Sequence, residues 1–314
     1  MSVYPSTAAD ASCTSPGCAC AARVPRYPSD LSDAQWAVLE PEARAAMAGL
    51  VRASGRPMVH DLRAMLDAVG YVTRYGIEWR ALPADFPPHE AVYAFFKRWS
   101  GRDLPQRLVD ALRTRIRVTR GRAPLPTAAS IDSQSVKAAD TVGANTRGYD
   151  GGKKINGRKR HIAVDTLGLL LAVTVTAASV QDRDGASPLL TLLRERFSTL
   201  RLVWADGGYA GRLIIWAQSA LHLAVTVVKR SDDTTGFVVL PRRWVVERTF
   251  GWLLRHRRLV RDYERRPEHH QAMVLWATVS IMTRQLTRDL AGEPPAARWG
   301  HPRKSPSPPT AQAA

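Results

Sequence analysis

The stretch "SIDSQSVKAAD", Ser130 to Asp140, reads as a buried β-strand with a carboxylate, Asp132, set inside it. An unpaired charge in such a place is costly, so Asp132 needs a partner, a metal ion or solvent. The residues after it narrow the choice. "RKRHIAVDTLG" and "LLLAVTVTAA" read as a hairpin about a turn at Leu167 and Gly168, and "DGASPLLTLLRERF" as a helix. "LRLVWADGGYAG" is a strand ending in a glycine-rich turn, "RLIIWAQSALH" a helix and "LAVTVVKRS" a strand. "RRWVVERTFGWLLRHRRLVRDYE" is one long basic helix opened by Pro241, a residue suited to a first turn.

Three strands, helix, strand, helix, strand, helix predicts an α/β fold of RNase H-like type over residues 125–290, a mixed sheet flanked by helices. In that order the first and fourth strands are neighbours. Asp132 on one and Asp206 at the end of the other then face each other, and Glu247 on the last helix completes a set. Three converging carboxylates repel unless hard divalent cations lie between them. Two such ions about 3.5–4 Å apart would activate a nucleophilic oxygen and stabilise the leaving oxygen of a phosphodiester. Taken singly, an aspartate at a strand end is more often a turn or cap residue, as Asp165, Asp182 and Asp184 warn.

The half before this is helical. "SDAQ" from Ser32 has the form of a capping box, with Trp36 and Leu39 on one face behind it. Leu62, Met65, Leu66, Val69 and Val72 recur at helical spacing up to Gly76, and Val92, Phe95, Phe96 and Trp99 form a third apolar stripe, read as core. Leu104 to Val118 is amphipathic and carries Arg107, Arg113, Arg115 and Arg117, with Arg120 just beyond. Residues 30–120 are thus expected to form an all-helical DNA-binding module, although a solvated basic face reads the same way. "RGRAPLP" is the linker. Residues 1–29 and 291–314, rich in Pro, Ala and Ser, are expected to be disordered. Cys13, Cys18 and Cys20 all lie in that leader, where a reduced segment is the better reading than a zinc site short of its fourth ligand.

Lys and Arg total 45 against 28 Asp and Glu, a formal charge of +17, which points to a polyanionic partner and to nucleic acid ahead of a membrane surface. The N-terminus lacks a signal-peptide pattern and no apolar run spans a bilayer, so a cytoplasmic protein is expected. Lys153, Lys154, Arg158, Lys159 and Arg160 cluster beside the Asp132 strand, and Arg255, His256, Arg257, Arg258 and Arg261 follow Glu247. Phosphate contacts that position DNA are the expected role of these cations. Gly207, Gly208 and Gly211 permit a sharp turn after Asp206. Trp252 and Trp276 fit an apolar helix face better than a base-stacking platform.

From Leu31 to Leu286 the sequence resembles the DDE transposases of bacterial insertion sequences, in the group named after insertion sequence five. The N-terminal likeness lies in "LSDAQWAVLEP", "GRP", "HDLRAMLDAVGYVTRYGIEWRALPADFPP" and "VYAFFKRW". The catalytic likeness lies in "IDSQSVKAA", "RGYDGGKKINGRKRHIAVDTLGLLLAVTVTAASVQDRDGA", "WADGGYAG" and the long basic segment around Glu247. The resemblance implies that Asp132, Asp206 and Glu247 hold two Mg2+ ions, with Mn2+ able to substitute. It implies cleavage of the ends of an insertion sequence and their joining to target DNA, by a bacterial, nucleoid-associated protein acting as a homodimer. It also implies a tyrosine-arginine-glutamate-lysine signature. Arg243 stands four residues before Glu247 as that requires, but Leu240 and Leu254 occupy the tyrosine and lysine positions, with Arg255 next door. An RNase H-like nuclease using the same carboxylates, or a non-catalytic DNA-binding protein derived from a transposase, are the rival readings.

Overall fold

The computed structural model describes residues 23–50, 58–228 and 241–293, with the backbone alone of residues 241–243. The three cysteines and Leu240 lie outside the described residues. The helical half comprises α1 (Asp33–Ala48), α2 (Leu62–Tyr75), α3 (His89–Ser100) and α4 (Leu104–Thr119). The predicted capping box is present, since Ser32 and Gln35 exchange side-chain to backbone hydrogen bonds. Asp61 caps α2 through the Ala64 amide, and Gly76 ends it at φ 73°, a left-handed conformation that costs glycine little. Val92, Phe95, Phe96 and Trp99 are buried, as their spacing requires.

The rest of the chain runs β1 (Ala128–Lys137), β2 (Gly148–Asp150), β3 (Ile155–Asp165), β4 (Leu170–Ala177), α5 (Asp182–Arg196), β5 (Leu202–Ala205), α6 (Arg212–Leu221), β6 (Ala224–Val227), α7 (Pro241–Leu253) and α8 (Pro267–Leu290). The predicted element order is present, with short β2 added within it and α8 added after the helix that was expected to be the last. β3 lies antiparallel to β1 on one side and pairs with both β4 and β2 on the other, while β1–β5 and β5–β6 are parallel. The sheet is mixed and carries helices on both faces. One face packs on α5 and α6 through Ala129, Ile131, Ala163, Leu189, Leu193 and Val203. The other packs on α7 and the helical half through Ile162, Val164, Leu170, Val173, Val246 and Phe250.

α8 runs through the helical half, packed against α4, α1 and α2 as well as β4, so the N-terminal helices and the sheet share one apolar cluster. Trp276, 5% exposed, belongs to that cluster and donates from Nε1 to Ser100 Oγ. Two expectations need correction. The helix bearing Glu247 stops at Leu253 instead of running to Glu264. His256 turns inward with its amide on Leu253 O, a short 3-10 turn Arg257–Leu259 follows, and Asp262 then pairs with β1 through Ala139 N and Lys137 O. A continued helix would carry Asp262 away from that edge. Second, the basic face of α4 is only partly turned to solvent, with Arg107 exposed on it. Arg113 and Arg117 are buried, Arg115 pairs with Glu42 and Arg120 with Asp289, because α4 uses its cations to dock on its neighbours.

Candidate active site

Ala128 pairs with Leu202, and Ser130 with Trp204, across the parallel β1–β5 ladder. Two residues further along each strand stand Asp132 and Asp206, which therefore share a register position and a face just past the last pair, as period-2 alternation requires. Asp132 is half-buried and its Oδ1 accepts from the Ser133 amide at 2.7 Å. Asp206 caps the 3-10 turn Gly207–Tyr209 by accepting from the Gly208 amide at 2.9 Å. Asp132 is also paired with Ile162 of β3, so its face is the one on which Ile162 meets Val246 and Phe250 of α7. α7 packs across β1, β3 and β5 there, with Glu247 exposed between those inward residues. Strand register thus brings the two aspartates together, and α7 is laid over the same face. Among the described residues no three His, Cys, Asp or Glu side chains stand close enough to hold a metal ion.

A polar group that the sequence did not flag lies beside these carboxylates. Burial chiefly, then the charges of Asp132 and Asp182 with a smaller part from Asp206, drive the Tyr209 phenol well above its usual range, so it stays a hydrogen-bond donor. Burial works to raise the Asp182 carboxyl, but hydrogen bonds from Lys159 and Ser133 and the Lys159 and Lys153 charges hold it below the ordinary value. Lys159 reaches Asp182 at 2.8 Å and Val180 O at 2.8 Å. His161 is pushed down to about 4 by burial and places Nε2 3.0 Å from Thr176 Oγ1. Gly185 of α5 lies flush on its ring, since a Cβ there would fall 2.1 Å from Cε1. The available signal was the strand itself: Ser133 and Ser135 alternate with Asp132, placing hydroxyls on the opposite, buried face.

The expected DNA-contacting cations divide in two. Lys153, Lys154, Arg255 and Arg257 are exposed. Arg261 is half-buried and donates to Ala138 O at 3.1 Å. The Arg243 side chain lies outside the described residues. Arg158, Lys159, Arg160 and Arg258 are buried, so the phosphate contacts expected of them meet side chains that do not reach the surface. Arg158 pairs with Asp262, Arg258 with Glu264, and Arg160 donates to Leu259 O and to Gln134. A charge removed from water needs such partners, and β3 faces the loop after α7 that supplies them.

Two family models match the chain. One described as "Transposase DDE domain" covers residues 123–282, and one described as "Putative transposase of IS4/5 family" covers residues 31–109. A curated relative from Burkholderia cepacia, "Putative transposase for insertion sequence element IS402", is 34% identical over 125 residues, which is 38% of this chain and 59% of the relative. The match thus spans about 59% of that relative's length. With β1 through most of α8 inside the first match, just over half of the 314 residues, the chain belongs to the family of the transposase DDE domain.

Proposed function

We propose that the protein is an insertion-sequence transposase with an RNase H-like catalytic core, which cleaves the ends of its element and joins them to target DNA by two-metal-ion phosphoryl transfer. The observation that carries this reading is the parallel β1–β5 register, whose last pair, Ser130 with Trp204, lies two residues before Asp132 within β1 and Asp206 just past β5, on the face that α7 covers. Asp132, Asp206 and Glu247 would hold the metal. Their donor set is all carboxylate oxygen, the chemistry that Mg2+ and, in its place, Mn2+ select. The negative field felt by Tyr209 is what a cation would neutralise. Because Mg2+ is commonly held by one or two carboxylates plus substrate phosphates, DNA would complete the ligand shell. Bound cations supply charge stabilisation at the attacking and leaving oxygens. The protein's own part is to fix the carboxylates and grip the DNA, so no Ser, Tyr or Cys nucleophile is required.

In this reading residues 30–120 recognise the terminal inverted repeats and residues 125–290 carry the chemistry. Lys153, Lys154, Arg243, Arg255, Arg257 and Arg261 would contact phosphates. No helix among the described residues is long and apolar enough to cross a membrane. The protein would work as a homodimer on DNA, in the nucleoid of the bacterial cytoplasm.

The test uses the full chain and DNA carrying the ends of its element. Asp132→Asn, Asp206→Asn and Glu247→Gln should each lower cleavage by at least about a hundredfold in Mg2+ while DNA affinity stays near that of the parent. Retained cleavage by any one of them would remove that residue from the set, and joint loss of folding and DNA binding would make the carboxylates structural.

A further inference from the structure

The turn joining β3 to β4 is held from two sides, and one partner is the helix that carries Glu247. Inside the turn, Asp165 accepts from the amides of Leu167 and Leu169, both at 2.9 Å, and also meets Arg117 Nη1 of α4 at 2.5 Å. Gly168 takes φ 78°, in the left-handed region. A Cβ there would stand 2.8 Å from Arg248 Nη2, 3.1 Å from Thr249 Oγ1 and 3.2 Å from Val245 O. This close approach lets α7 capture two carbonyls of the turn. Arg248 Nη2 donates to Leu167 O and Thr249 Oγ1 to Gly168 O, each at 2.7 Å. The Arg248 guanidinium is flanked by Trp244 and Trp252, at 4.7 and 4.6 Å from their ring centroids, one helical turn to either side.

We propose that this turn is a strut that sets where Glu247 stands over the β1–β5 carboxylates, with Arg248 and Thr249 as positioning residues for it. The proposal rests on reading Glu247 as the third acidic residue of the site. Glu247 is exposed, and where its backbone stands follows from the position of α7. The inward residues Val246, Phe250 and Leu253 make apolar contacts, which are non-directional and tolerate sliding. The two hydrogen bonds to the turn are directional and fix both the axial position and the rotation of α7. The turn is in turn tied to Asp132. Asp165 is paired with Ala129, three residues before Asp132 on the same strand, and the ladder continues without a break to Asp132 and Ile162. Locking α7 to the turn therefore locks Glu247 to Asp132 through one hydrogen-bonded frame.

Thr249→Val keeps the side-chain volume and removes the hydroxyl. The Mg2+ concentration for half-maximal end cleavage should rise about fivefold, the equilibrium weight of one net hydrogen bond, while Thr249→Ser stays near the parent. In the metal-free protein, hydrogen exchange in 244–253 should accelerate in Thr249→Val with the other elements unchanged. Gly168→Ala presses on the same contact from the turn side and should raise the Mg2+ requirement likewise. Together with Arg248→Gln it decides the matter should Thr249→Val fail to fold. An unchanged Mg2+ requirement in these variants, with only earlier unfolding, would reduce the contact to a structural one and overturn the proposal. Glu247→Gln is run beside them. If it cleaves like the parent, the reading of Glu247 itself falls; if it is inactive while Thr249→Val keeps the parent's Mg2+ requirement, the strut alone falls.

Discussion

Arg158 separates a cation that holds the fold from one that holds DNA. It is fully buried, and all five of its N–H donors are engaged: Nε on Thr146 O, Nη1 on Asp262 Oδ2 and Glu264 O, Nη2 on Thr146 Oγ1 and Arg265 O, at 2.7–3.2 Å. Arg158→Met strips these partners of their donor inside the protein. Asp262 keeps the Glu264 amide at 2.8 Å and His270 Nδ1 at 3.0 Å, so the loss should lie at the lower end of the range for orphaning a buried ion, about 3 kcal/mol. Urea unfolding followed by tryptophan fluorescence reads this directly, with an unchanged m-value expected. Measured where the variant is still folded, the salt dependence of its DNA affinity should match the parent's. Lys153→Gln and Lys154→Gln should do the reverse: stability within about 0.5 kcal/mol of the parent, and a salt slope smaller by about 0.9 per lost contact. If Arg158→Met left stability within about 1 kcal/mol and removed a unit of salt slope, the burial argument would be wrong and Arg158 would be a phosphate ligand.

His161 and His256, both driven down to about 4 by burial, give a dependence on pH. Between pH about 4 and 6.5 the unfolded chain binds protons that the native state refuses, so these histidines make stability rise with pH, by up to about 3 kcal/mol each. Asp67, whose carboxyl burial pushes up to about 7, opposes them over much of that range. The readout is therefore the gap between parent and His161→Gln in urea titrations at pH 7 and pH 5; it should close or reverse at pH 5, and a gap independent of pH would contradict the assignment. A chain ending at Arg120 lacks both α8 and the β3–β4 surface, including the Asp165 partner of Arg117. Its far-ultraviolet dichroism should show little of the native helix and no cooperative melting, and a sharply melting fragment would refute the shared core.

Local signals in the chain were enough for most of the fold. Ser32 with Gln35, Gly76, Leu167 with Gly168, and Pro241 each act within one turn of backbone, so the capping box, the α2 stop, the hairpin and the start of α7 were legible without any partner. Alternation in "SIDSQSV" and the order of elements put Asp132 and Asp206 on neighbouring strands, because sheet adjacency in such an order follows from crossover connections. The destinations of the charges were not legible. Arg158, Arg160, Arg117 and Lys153 look alike in sequence, yet the first three are buried on partners and the fourth is exposed. The ion-pair partner of Arg158, Asp262, lies at a separation of 104 residues. The same distance in sequence hid the end of α7, where "LLRHRRLVRDYE" has helical composition but Asp262 is drawn to the edge of β1. It also hid Asp182, an ordinary first-turn acid by sequence, which only the packing of α5 against β3 brings to Lys159, Ser133 and the field around Tyr209. Composition set the sign and size of the charge on this protein. Which cations face solvent and which are taken into the fold was settled by burial, where the cost of desolvating an ion leaves it no choice but a partner.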